Sequence, residues 1–390
     1  MRQTLDLPEN FENYTEARKK GFIRMHELKK QGKQVVGTFC SYTPNELVLA
    51  AGAVPVGLCG SSEEGIAEAE ARLPKNLCPL IKSSYGLAAS DKCPYFYFSD
   101  MVLAETTCDG KKKMYEMLGE IKPVHVMQLP PGREGPGALE YWRLETIRAK
   151  EAIEKNLGVT ITEDAVRAAI KTRNRQRRAL LALYDTGKLD PCPLSGYELS
   201  TLAEATTFMF TPEEVINALE EKARTVMEKY GEIQGGEDDR PRILVTGCPL
   251  TGVRDKIIRQ AEELGAVVVA FDSCSGPRAQ RELVDEDPNK DPYLALAEKY
   301  LNIDCSVMSP NPGRLESLRE MIEEYRVDGV IEVILTACHT FACEADSVSH
   351  LVNKELGLPY VAVETDYSQT DRGQLGTRIG ALLEIIPVKV

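Results

Sequence analysis

The sequence contains no run of eighteen apolar residues, so nothing in it reads as a bilayer-spanning helix. It has no C-x-x-C pair, the spacing by which structural zinc sites usually announce themselves. No G-x-x-x-x-G-K-[ST] loop is present, which argues against ATP binding by a P-loop, and no G-x-G-x-x-G follows a strand-like run. Positive charge is in deficit: 47 Lys and Arg stand against 60 Asp and Glu, a formal net charge of −13, which argues against nucleic acid or an anionic membrane as the main partner. Histidine is scarce, with only His26, His125, His339 and His350. The first twenty residues are polar and lack the apolar core of a signal peptide, so the expectation is a cytoplasmic protein whose thiols stay reduced.

Against that background the sequence carries 11 cysteines, an odd number in a chain of 390 residues. A disulfide framework does not suit a large cytoplasmic chain, whereas metal, redox or catalytic use does. The length favours two domains, and 43% hydrophobic residues suffice for ordinary buried cores. Periodicity gives the expected organisation. Residues 1–32 form an N-terminal helical segment. Residues 33–137 alternate strand-like runs ("QVVGTFCSYTP", "AVPVGLCG", "YFYFSDMVLAETTCDG", "PVHVMQLP") with helix-like ones, the pattern of a parallel α/β sheet. Residues 138–240 are helical and charged and close on a linker, "GEIQGGEDDRPR". Alternation then resumes over 241–390 with "RILVTGCPL", "AVVVAFDSCSG", "DGVIEVILTACHT" and "LPYVAVETDYS". The fold class expected is α/β, with two similar doubly wound, Rossmann- or flavodoxin-like domains and a helical segment.

The cysteines fall on this map in a pattern. Cys40, Cys108, Cys248, Cys274 and Cys338 each follow the carboxyl end of an expected strand, and Cys78 lies in a loop that opens a helix. Ligand sites of open α/β sheets lie beyond those strand ends, so two such domains facing each other would gather six thiols in one cleft. A lone cysteine is as often a small core hydrophobe, and Cys59, Cys93, Cys192 and Cys305 are assigned to packing, Cys305 at a strand start. Spacings of tens of residues describe a site built by the fold rather than by one loop, which suits an iron–sulfur cluster better than zinc or haem. His339, beside Cys338, is the candidate proton donor, with a hydrogen-bonded loop histidine as the plainer reading. The "DGKKK" run reads as a solvated lysine face or a phosphate contact.

The stretches "TFCSYTPNELVLAAGAVPVGLCG", "NLCPLIKSSYG", "AETTCDGKKKMYEML", "ILVTGCPLTG", "FDSCSG" and "ETDYSQTDRGQLGTRI", in this order over nearly the whole chain, resemble the 2-hydroxyacyl-CoA dehydratase and benzoyl-CoA reductase subunit family, in particular its double-cubane cluster branch. The resemblance implies paired α/β domains around an iron–sulfur cluster. In the dehydratases three cysteines hold one 4Fe–4S cluster, and the matching positions here are Cys78, Cys108 and Cys338. Cys40, Cys248 and Cys274 exceed that pattern. Six thiolates match a double cubane, 8Fe–9S, of two cubanes bridged by sulfide. The choice of Cys274 over Cys305, Cys343 or Cys59 is left open.

The activity so implied is ATP-dependent, low-potential reduction of small molecules. Electrons would come from a separate ATPase activator with its own 4Fe–4S cluster, and the chain would act as a homodimer. The alternatives are a 2-hydroxyacyl-CoA dehydratase subunit with a single 4Fe–4S cluster, and a non-enzymatic electron-transfer or cluster-storage protein.

Overall fold

A computed structural model describes residues 6–387 apart from 10, 14, 208, 237 and 275. Residues 1–5 and 388–390, the outer ends of the expected first and last segments, lie outside the described residues. The strands are β1 (Val35–Thr38), β2 (Val54–Gly57), β3 (Met101–Glu105), β4 (Val124–Met127), β5 (Arg242–Gly247), β6 (Val267–Asp272), β7 (Gly329–Leu335) and β8 (Tyr360–Thr365). The helices of the first half are α1 (Glu16–Lys30), α2 (Asn45–Ala50), α3 (Ile66–Glu70), α4 (Pro79–Ala89), α5 (Pro94–Phe98), α6 (Asp109–Leu118), α7 (Ala138–Leu157) and α8 (Glu163–Tyr184). Those of the second are α9 (Gly196–Thr206), α10 (Pro212–Ile233), α11 (Gln260–Glu263), α12 (Pro292–Leu301), α13 (Pro312–Glu324), α14 (His339–Ser349) and α15 (Arg372–Glu384).

Two four-stranded, wholly parallel sheets result, ordered β2-β1-β3-β4 and β6-β5-β7-β8. The two orders are the same path through the sheet, with the chain reversing direction of growth after its first two strands; this is the flavodoxin-like order expected. The strands read as they do because β1, β3, β5 and β6 are buried at every position, which selects continuous apolar runs over alternation. Proline fixes several helix starts. Pro79, Pro94, Pro292 and Pro312 stand at the first helical position, where the missing N–H has no partner to lose. One consequence differs from expectation: "YFYF", the start of an expected strand, lies in the short helix α5, and the strand begins only at Met101. Cys93 is its N-cap and accepts the Phe96 N–H at 3.4 Å.

The chain divides into two compact units. The first holds residues 1–174 together with 284–303, so α12 returns to pack on α7. Asn174 clasps the returning chain, donating to Val284 O at 2.7 Å and accepting its N–H at 3.1 Å. Tyr300 on α12 donates to the buried Glu46 carboxylate at 2.7 Å. α4 lies close to the preceding turn because neither Gly65 nor Gly86 has a side chain; a Cβ on Gly86 would stand 1.7 Å from Gly65 O.

The second unit holds residues 175–283 and 304–390. Its core gathers Leu244, Val267, Val269, Leu318, Ile322, Val330, Val348 and Val352, with Cys192 among them. Each such side chain contributes roughly 1.5–3 kcal/mol when fully buried.

Candidate functional site

In the first unit, register brings three side chains level at the carboxyl end of the sheet. Thr38 pairs with Gly57 on one side and with Leu103 on the other. Two residues further along each path stand Cys40, Cys59 and Glu105. Cys40 turns out of the strand in the left-handed region at φ 60, which an L-residue adopts at a cost of roughly 1–2 kcal/mol. Its thiol donates to the Glu105 carboxylate. Lys111, one turn into α6 and buried, faces the same group, 3.9 Å from Glu105 Oε1. α6 directs it inward because Lys111, Met114, Tyr115 and Leu118 form its buried stripe. Burial pushes the Glu105 carboxyl up, opposed by Lys111 and the Cys40 thiol. Burial also works against the Lys111 ammonium, but Cys40, Tyr115, Cys59 and Glu105 outweigh it and hold the group charged. Glu105 Oε2 and Tyr115 Oη are buried without a hydrogen-bond partner. Cys78 and Cys108 are the N-caps of α4 and α6, and the two helix starts meet: a Cβ on Gly110 would stand 2.7 Å from Ile81 and 3.1 Å from Leu77. Each cap sits at the positive end of its helix, which favours an anionic sulfur.

The second unit repeats the plan. Thr246 pairs with Asp272, and two residues beyond stand Cys248 and Cys274, the counterparts of Cys40 and Cys59. The local sequences agree: Thr-Phe-Cys at 38–40 and Thr-Gly-Cys at 246–248. Gly247 must be glycine, with φ 111 and only 2.2 Å between an added Cβ and Val333 O. Cys248 is 1% exposed, and its sulfur accepts the Leu335 N–H at 3.3 Å. Cys338 caps α14 as Cys108 caps α6, and Ala337 before it is again left-handed, φ 59. Beneath these loops lies a buried ion network. Asp272 accepts from Thr246 at 2.8 Å and from Arg278 through both oxygens, at 2.9 and 2.7 Å. Arg314 joins Thr246 (3.0 Å), Glu332 (2.9 Å) and Glu344. Burial works against the Asp272 charge, but Arg278 and then Arg314 hold its carboxyl well below the usual range.

The six thiols singled out from sequence therefore divide three and three. Cys40, Cys78 and Cys108 belong to the first unit, and Cys248, Cys274 and Cys338 to the second. One cysteine read as packing is exposed, and another is buried as expected but not at the expected strand start. Cys59 is exposed and stands level with Cys40, because β2 ends at Gly57 and the chain leaves the core there. Cys305 is buried but starts no strand; it lies in an irregular segment after α12, and Cys274 hydrogen-bonds to it. Cys192 packs in the core and Cys343 is exposed on α14. His339 is exposed at the first position of α14, while His125 lies on β4. "DGKKK" is not a uniform solvated face: Lys112 and Lys113 are exposed, but Lys111 is buried at the thiols. Lys111, Glu105 and Arg278 carried no sequence signal of their own beyond a charged residue three or four positions from a cysteine.

The pattern described as "2-hydroxyglutaryl-CoA dehydratase, D-component" matches residues 40–386. The chain belongs to that family. It is 49% identical over 381 residues to "Putative dehydratase subunit YjiM" of Escherichia coli (strain K12), covering 98% of this chain and 99% of that protein. It is 25% identical to the "(R)-phenyllactyl-CoA dehydratase beta subunit" of Clostridium sporogenes, over 97% of this chain and 98% of that one. With a benzoyl-CoA reductase subunit of Thauera aromatica it shares 22% identity, over 88% of this chain and 90% of that one. The family is thus one of dehydratase and reductase components, and the chain is similar to its members over nearly their whole length. No helix among the described residues is long and apolar enough to cross a membrane.

The family resemblance raises an iron–sulfur cluster, and the residues present fit one. Among the described residues no three His, Cys, Asp or Glu side chains converge as they would on a single ion. Thiols set out along several strand ends and helix caps suit instead a group several atoms across, whose ligands stand apart. Buried polar atoms without partners lie beside the thiols in both units, Glu105 Oε2 and Tyr115 Oη in one and Arg278 Nη1 in the other. Each such group needs a partner or a role, and a bound ion or ligand is one that would supply it.

Proposed function

We propose that this chain is an iron–sulfur reductase component whose Cys40, Cys78, Cys108, Cys248, Cys274 and Cys338 thiolates hold a double-cubane 8Fe–9S cluster. The observation that carries this reading is that each unit carries three of these thiols: one just past its first strand (Cys40, Cys248), one capping the helix after its third strand (Cys108, Cys338), and a third that is Cys78 at the cap of α4 in the first unit and Cys274 beyond β6 in the second. A single-cluster subunit needs no second thiol set. When bound, the cluster supplies low-potential electrons. The chain's own residues fix the thiolates, exclude water through the buried ion pairs and offer His339 as a proton source at the cap of α14. A separate ATPase activator delivers the electrons, the substrate is a small molecule that is hard to reduce, and the active form is a homodimer. The chain alone turns over no ATP; steady ATP hydrolysis by the purified protein sinks this division of labour.

The second reading is a 2-hydroxyacyl-CoA dehydratase subunit with one 4Fe–4S cluster, favoured by the names of the dehydratase relatives. Supplying activator, ATP and either a small reducible probe or a 2-hydroxyacyl-CoA separates the two. Reduction of the probe supports the reductase. Loss of water from the thioester with no probe reduction replaces it with the dehydratase. His339→Ala is expected to slow reduction while leaving iron content intact, and an unchanged rate removes His339 from proton delivery.

A further inference from the structure

Arg278 stands where the loops carrying Cys248, Cys274 and Cys338 meet. It lies on the turn of 3-10 helix after β6, four residues past Cys274. Its Nη2 donates to the Asp272 main-chain oxygen at 2.7 Å and reaches Gly247 O, the residue before Cys248, at 3.4 Å. Its guanidinium lies over the ring of Phe341, 5.3 Å from the centroid and three residues past Cys338. Nε and Nη2 form a fork clasped by the Asp272 carboxylate, which fixes the plane of the group. The third nitrogen is different. Nη1 is buried and has no hydrogen-bond partner. Arg314, its neighbour in the same network, has each end of its fork satisfied through Asp272, Thr246, Glu332 and Glu344. The thiols of Cys274 and Cys305 act on Arg278 electrostatically. Burial opposes its charge, and Asp272 together with these sulfurs outweighs that.

We propose that Arg278 is the positioning residue that tunes the second unit's share of the cluster, its Nη1–H groups donating to the sulfur layer held by Cys248, Cys274 and Cys338. This rests on the cluster reading above. The first unit solves the same problem differently. There the buried cation is Lys111, offered from α6 rather than from the loop after β2, and paired at 3.9 Å with Glu105. The position three residues past the capping cysteine is Lys111 in one unit and Phe341 in the other, and over the Phe341 ring lies the Arg278 guanidinium, offered from the turn after β6. A planar guanidinium carries oriented donors and keeps its proton under all conditions, whereas an ammonium is a point charge. Hydrogen bonds to cluster sulfurs stabilise the more negative, reduced state and so raise the reduction potential. The two halves are therefore unequal by construction, and the half beside Arg278 takes the first electron.

The test is anaerobic redox titration of the whole protein, followed by electron paramagnetic resonance, for wild type, Arg278→Lys and Arg278→Gln. Iron per chain and urea midpoint are measured alongside. Arg278→Gln is expected to lower the first reduction equilibrium constant at least tenfold, a negative shift of about 59 mV for one electron. Arg278→Lys, which keeps charge without the second pair of donors, should fall between. A purely structural role would lower the urea midpoint and iron content but leave the potential of the cluster that remains where it was. Arg278→Gln with wild-type iron and wild-type potential overturns the proposal. Should Arg278→Gln not fold, a wild-type potential in Arg278→Lys overturns it equally. Wild-type protein without iron removes both this inference and the cluster reading, whereas iron-replete wild type with unshifted variants removes this inference alone.

Discussion

Gly247 carries more of the site than its size suggests. Its φ of 111 and its lack of a Cβ, which would stand 2.2 Å from Val333 O, let β5 end flush against β7, so that Cys248 emerges with its sulfur under the Leu335 N–H. Gly247→Ala is expected to cost at least about 1–3 kcal/mol from the backbone conformation alone. Iron binding should fall with it, read from the urea midpoint and from iron per chain; a stable, iron-replete variant contradicts this account of the strand end. His125 supplies a pH dependence at the same scale. Burial lowers its pKa, with Glu145 opposing. The unfolded imidazole then binds a proton more readily than the folded one, so its contribution to stability is present above the unfolded pKa and is lost as pH falls below it. His125→Gln should flatten the loss of stability as pH falls below about 6.5. An unchanged slope assigns that loss elsewhere.

At the scale of elements, a parallel strand, a short loop and a helix start recur at every thiol of the proposed set except Cys78 and Cys274. The apolar runs of β1, β3, β5, β6 and β7 made these strands legible from sequence, and with them the five strand-end cysteines. Less legible was what depends on pairing. Cys59 could be placed level with Cys40 only once Thr38 was known to pair with Gly57, since "VGLCG" reads equally well as a strand that continues through the cysteine. Lys111 was hidden for a related reason: three consecutive lysines look solvated until the phase of α6 is fixed by Met114, Tyr115 and Leu118. α5 was misread because aromatic residues favour strands, while Pro94 at the first helical position decided otherwise. The Lys111–Glu105 pair gives this scale its test. Lys111→Met strands a fully buried carboxylate and should destabilise the protein by about 3–5 kcal/mol. Adding Glu105→Gln should restore much of that, since the double variant buries no unpaired charge. Equal stability of the single and double variants in urea denaturation would show that the two groups are not coupled.

At the scale of the whole chain, the defining feature is duplication. Two sheets of one topology each present a Thr-x-Cys strand end, a level cysteine on the neighbouring strand and a cysteine-capped helix. The periodicity of the sequence revealed two α/β repeats, but not the return of residues 284–303 to the first unit, because α12 has the pattern of any amphipathic helix and only contacts such as Tyr300 to Glu46 assign it. Duplicated thiol sets are what separate a double cubane from the single cluster of a dehydratase subunit. The decisive measurement is iron and acid-labile sulfide per chain in anaerobically purified protein. The account predicts about eight irons per chain, falling sharply in Cys108→Ser and remaining unchanged in Cys192→Ser. About four irons per chain, or normal iron in Cys108→Ser, would contradict it.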